Sequence, residues 1–136
     1  MESPEKNRKS LLHILVVTGL ILSSAAHAYE FERASANMAQ EVITCATYFT
    51  YWSKANKRDG LDSANFDTSA NSALTLAQIY LPEVKKLEAM SALSARLINK
   101  VVKEEGATRL VLTYADFCKS MLEHPTDRMQ YWLDKR

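Results

Sequence analysis

Residues 30–53 read EFERASANMAQEVITCATYFTYWS, and the fold turns on this stretch. Phe31, Met38, Cys45 and Trp52 recur every seven residues, with Ser35, Val42 and Phe49 in the interleaved positions. Because an α-helix completes a turn in about 3.6 residues, that spacing draws an apolar stripe along one helical face. Glu32, Arg33, Gln40 and Glu41 fall elsewhere and are expected on the surface, and neither Pro nor Gly interrupts the run. The pattern predicts a helix over 30–53.

Downstream the period is lost. Lys54, Asn56, Lys57, Arg58, Asp59-Gly60, Asp62, Ser63, Asn65 and Asp67 make a polar stretch, and Asp-Gly marks a turn. A loop over 54–68 is predicted, held to the core by Leu61 and Phe66. A helix over 69–81 follows, capped by Thr68 or Ser69, with Leu74, Ala77 and Leu81 on its apolar face. Pro82 has no N–H and suits a first helical position, so a new helix is expected over 82–104. Its face is Leu87, Met90, Ser94, Leu97 and Val101. Gly106 closes it as a C-cap, and Thr108 opens a helix over 108–123 with Val111, Tyr114, Cys118 and Met121 inward. His124-Pro125 stops that helix, and Thr126 caps a short terminal one carrying Met129, Trp132 and Leu133. No alternating run suggests a strand. The fold class expected is all-α, a small bundle of three to five helices.

Upstream, Lys6, Arg8 and Lys9 precede an apolar run from Leu11 to Leu22, which ends in Ala26-His27-Ala28. A basic start, a short apolar core and a small-x-small end form the pattern of a secretory leader. The run is well short of the roughly 20 residues that cross a bilayer. Residues 1–28 are therefore read as a cleaved signal peptide, residues 29–136 as a single helical domain, and stable membrane insertion after cleavage is not expected. The leader takes three of the 17 basic and two of the 16 acidic residues, which leaves the remainder formally neutral. A neutral domain offers no electrostatic footprint for nucleic acid, and no nucleic-acid partner is expected.

The chain holds two cysteines, Cys45 and Cys118. In an exported protein an even number reads as a bridge, and no Cys-x-x-Cys pairing points to redox chemistry. A Cys45–Cys118 disulfide is predicted, stapling the first helix to the fourth.

Catalytic residue types are scarce. His124 is the one histidine beyond the leader, and once the cysteines pair no set of His and Cys ligands remains for a metal. Asp59, Asp62, Asn65 and Asp67 do not follow the alternation of a calcium loop. No phosphate loop, nucleophile elbow or metalloprotease helix is present. Leu74-Thr75-Leu76-Ala77-Gln78 resembles the Leu-Thr-x-x-Gln signature of the Spy/CpxP-type periplasmic helical chaperones, in one copy where that family shows two. Tyr51-Trp52 and Tyr131-Trp132 stand out, since neighbours on a helix point about 100° apart and both rings cannot face one core. Each pair is a candidate partner-binding element, because Tyr and Trp dominate interface hot spots.

These observations lead to the expectation of a periplasmic or secreted protein that is not an enzyme and needs no cofactor or metal. It would act by contact with another envelope or secreted protein, as an inhibitor, immunity-type protein, adaptor or chaperone-like factor. The alternative is a carrier of a small apolar ligand, in a cavity of about 300 Å³ or more lined by Met38, Met90, Leu97 and Met121.

Overall fold

A helix with no charged residue between Glu41 and Lys54 has no side that strongly prefers water, and a helix apolar all round is normally enclosed. That is how the computed structural model places it. The structure describes the backbone of residues 5–135 and the side chains of residues 25–135. Five helices follow in order: α1 Glu5–Arg58, α2 Ala64–Tyr80, α3 Val84–Glu105, α4 Ala107–Glu123 and α5 Pro125–Asp134. No strand occurs among the described residues. The leader predicted over 1–28 lies for the most part outside the described side chains. The chain divides into two units, residues 1–33 and 34–136. In the first, Tyr29 and Phe31 are exposed. The second is the helical bundle.

Within the bundle, the α1 segment from Ala34 to Ser53 contains no exposed residue. Ala34, Met38, Ala39, Val42, Ile43, Cys45, Ala46, Tyr48 and Phe49 are all buried, and they spread over far more than one helical stripe. The reading of α1 as a one-faced amphipathic helix is therefore corrected: it is the central rod. Gln40 and Glu41, expected on the surface, are half-buried, whereas Phe31, expected in the core, is 58% exposed. Phe31 belongs to the first unit, where the bundle's apolar neighbours do not begin.

Each other helix bonds to this rod. Cys45 and Cys118 are joined, with Cα atoms 5.3 Å apart, and neither has any exposed surface. Thr44 Oγ1 and Gln40 Nε2 meet Ser94 Oγ of α3 at 3.1 and 3.2 Å. Glu41 receives α5. Asp67 of α2 bonds back to Ser53 and Lys57. Threonine is tolerated in so buried a helix because Thr44, Thr47 and Thr50 donate their hydroxyls to the carbonyls of Gln40, Ile43 and Ala46, at 2.8–2.9 Å.

The loop expected over 54–68 shrinks to 59–63, since α1 continues to Arg58 and α2 starts at Ala64. The polar residues that suggested a loop are a capping network. Asn56 Nδ2 donates to the Asp62 carbonyl at 2.7 Å, and Asp62 Oδ1 accepts the Ala64 N–H at 2.9 Å. Asp67 accepts from Ser53 (2.6 Å), Lys57 (3.0 Å) and Ser63 (3.0 Å), near the positive end of the α2 dipole. Neither Thr68 nor Ser69 caps α2. Likewise Thr108 and Thr126 lie inside their helices, which start at Ala107 and Pro125.

Pro82 does separate two helices: the Leu81 N–H closes α2 on the Ala77 carbonyl, and α3 begins at Val84. Gly106 is shared by α3 and α4. Its φ of 87° is open to glycine without strain, and its N–H caps the carbonyls of Val101 and Val102. On α2 the buried line is Ala70, Ala73 and Ala77, so that helix approaches closely and Leu74 is left 41% exposed. On α3 the buried line is Leu87, Ser94 and Ile98, which leaves Leu97, expected in the core, 46% exposed. Ser94 turns inward because Gln40 and Thr44 offer it partners there.

Two tests follow from these contacts. Closing a loop of 73 residues is worth about 4 kcal/mol in the chain-entropy model. The double variant Cys45→Ala/Cys118→Ala should lose about 2–4 kcal/mol in urea unfolding; a loss below about 1 kcal/mol would show that the staple adds little beyond side-chain contact. The hydroxyls of Ser53 and Ser63 and the Lys57 ammonium hold the Asp67 carboxyl down from 3.8 to about 2. A depressed carboxyl stabilises the fold above its unfolded value and loses that contribution as pH falls through its folded value. The thermal midpoint of the parent should therefore fall more steeply between pH 4 and pH 2 than that of Asp67→Asn; parallel curves would refute the coupling.

Candidate functional site

Tyr51-Trp52 and Tyr131-Trp132 are not brought into one patch. Trp132 Nε1 donates to Glu41 Oε2 at 2.9 Å, and Glu41 precedes Tyr51 by ten residues, or about 15 Å along the helix. In both pairs the rings meet edge to face with centroids 5.2 Å apart, a favourable aromatic geometry that also stiffens the exposed ring. Both tryptophans are half-buried against the core, Tyr51 is half-buried and Tyr131 is 42% exposed.

The first pair borders a groove of about 330 Å³ between α1, α2 and α3. Its floor is Ala46, Ala95 and Ile98, and Leu74 stands at the rim. Thr47, Thr50, Ser91 and Asn99 supply hydroxyl and amide groups around it, and Lys54 brings an ammonium to which no described residue is paired. Because the Thr47 and Thr50 hydroxyls already donate to the backbone, they face the groove as acceptors. Tyr51 is thus a rigid ring beside an apolar trough with polar edges, able to take an apolar side chain and fix it with hydrogen bonds.

The second pair rests on an ionic node that the sequence reading did not single out. Arg128 Nε donates to Glu41 Oε2 at 2.8 Å, and Arg128 Nη2 donates to Glu41 Oε1, a bidentate pair joined by the Trp132 indole. The guanidinium carbon of Arg128 lies 4.1 Å from the Tyr131 ring centroid and within 5.5 Å of Phe117 and Trp132. On the far side Lys135 Nζ donates to the Tyr131 hydroxyl at 3.0 Å, and this contact holds the phenol below its usual pKa. Tyr131, Phe117 and Arg128 then line a second groove of about 480 Å³ with Asp116, Ser120, Met121, His124 and Asp127.

Two sequence signals could have exposed the node. Glu41 is the sole carboxylate between Glu32 and Asp59, set in a run that must be buried, so it needs a cation. Arg128 stands three and four residues before Tyr131 and Trp132, hence on their face.

The remaining candidates fall as follows. His124 ends α4 and caps α5, its N–H bonded to the Ser120 carbonyl. It lines the second groove together with Asp116. Among the described residues no three His, Cys, Asp or Glu side chains gather to hold a metal ion, and no helix is long and apolar enough to cross a membrane. The four residues named for a ligand cavity do not converge: Met38 and Met121 are buried in the core, Met90 is half-buried and Leu97 faces outward. Leu74-Thr75-Leu76-Ala77-Gln78 lies within α2, its Ala77 fully buried.

The chain matches no family model, no curated protein and no solved structure.

The Glu41 node carries its own test. Arg128→Ala leaves a partly buried carboxylate with one indole donor and should cost about 1–3 kcal/mol in urea unfolding. Arg128→Lys, which cannot pair bidentately, should recover less than half of that loss. Full recovery by Lys would reduce the node to simple charge neutralisation.

Proposed function

We propose that the chain is an exported, non-catalytic binding protein that works in the periplasm or outside the cell by docking onto another protein. The reading is carried by Tyr51, a ring braced against Trp52 at the edge of an open groove with an apolar floor and a polar rim. Large, stiff aromatic rings beside a pocket are the usual anchors of protein interfaces, since little side-chain freedom is lost when they are covered. Tyr131, with Arg128 over its ring and Lys135 bonded to its hydroxyl, is a second anchor of the same kind.

Export is supported by the basic, apolar and small-residue order of residues 6–28 and by a fully buried disulfide, a bond that persists mainly in oxidising compartments. The grooves are open troughs with mixed linings, which favour a protruding protein side chain over an enclosed apolar ligand.

Recovery of bound protein from an envelope extract tests the reading. Tyr51→Ala should lower the amount of specific partner by about tenfold or more, and Tyr131→Ala by a smaller factor, with both variants keeping the parent's thermal midpoint. Equal recovery by parent and variants, or no partner at all, would refute it.

A further inference from the structure

On α3, Lys86, Met90, Leu93, Leu97, Lys100 and Glu104 are spaced alternately four and three residues apart, so they form one stripe along the helix. The stripe lies about 100° around the helix from the line that enters the core through Leu87, Ser94 and Ile98. Leu93 is 58% and Leu97 46% exposed at its centre, Met90 and Val101 flank them half-buried, and Lys86, Lys100 and Glu104 are exposed. Two adjacent leucines, open to water in the middle of a charged helix, are placed as the seam of a helix pair.

The order of residues says what the other helix is. Turned about a two-fold axis between Leu93 and Leu97, the stripe maps onto its own complement. Leu93 then meets Leu97 of the second copy, Lys86 meets the second copy's Glu104, and Met90 meets the second copy's Lys100. Each of these layers occurs twice. The aliphatic stem of Lys100 covers Met90 while its ammonium reaches the rim. Within one chain Lys86 pairs with Glu83, and Lys100 lies 4.0 Å from Glu104, exposed contacts that exchange partners at little cost. An antiparallel neighbour places Lys86 beside Glu104 at both ends of the seam.

We infer that the Leu93–Leu97 face of α3 is the contact of a two-fold homodimer in which two α3 helices pack antiparallel. A seam of one helix per copy sits at the small end of protein interfaces, so the association is weak. It does not involve Tyr51 or Tyr131, and it stands or falls apart from the function proposed above.

Sedimentation equilibrium of the purified chain between about 5 and 500 µM measures it, a range that reaches the weak association of so small a seam. The parent should shift from monomer to dimer across that range. Leu93→Glu/Leu97→Glu should remain monomeric, with an unchanged circular dichroism spectrum because both positions are exposed. Lys86→Glu and Glu104→Lys should each weaken the dimer about tenfold by setting like charges face to face at both ends, and the double variant Lys86→Glu/Glu104→Lys should restore it. A parent that stays monomeric at the highest concentration overturns the inference. So does a dimer indifferent to the leucine substitutions, or a double charge exchange that fails to restore what the single ones lose.

Discussion

Enclosure of the α1 segment from Ala34 to Ser53 is the constraint on which the rest of the structure depends. A helix with no exposed residue over that length must be surrounded, and four further helices do so. Surrounding it brings Cys118 of α4 against Cys45, where the bridge fixes one helix to the rod and shortens the conformational search of the others. It also imposes a condition on every polar atom of that segment, since a buried donor or acceptor without a partner costs about 1–3 kcal/mol.

Among the described residues Ser35 Oγ and Trp52 Nε1 stay buried without a hydrogen-bond partner, and the other polar side chains meet that condition in three ways. Thr44, Thr47 and Thr50 turn their hydroxyls onto carbonyls one turn back, which satisfies their donors within the helix. Gln40 and Thr44 recruit Ser94, which is why α3 presents a serine to the core and turns Leu97 outward. Glu41 recruits Arg128 and Trp132, which draws the short α5 onto the bundle and leaves Tyr131 standing beside them. The exposed tyrosine is therefore placed by a buried carboxylate on another helix. Site and scaffold share one cause.

Helix existence was legible because its signals are local. Heptad spacing, Pro82, Gly106 and Pro125 mark where helices run and stop, and the structure keeps those divisions to within a few residues. The segment 54–68 misled because Asp, Asn, Ser and Gly signal a turn and a capping network alike. Which of the two they make depends on whether Ser53 and Lys57 come within reach of Asp67 across the bend, a distance the chain order does not state. Helix orientation misled for a related reason. The face read from spacing, Leu87, Met90, Ser94, Leu97 and Val101, is rotated from the observed line of Leu87, Ser94 and Ile98, so Leu87 and Ser94 enter the core as expected while Leu97 stays outside.

The chain order alone carried the helical class and the pairing of Cys45 with Cys118, because the first rests on residue spacing along each helix and the second on there being two cysteines to pair. Folding in three dimensions settled that α1 is the hub, that Leu97 stays outside the core while Ser94 enters it, and that Tyr51 and Tyr131 border separate grooves. Those outcomes depend on which donors and acceptors from distant helices meet inside, and a buried polar atom takes its partner from wherever in the chain the bundle brings one close.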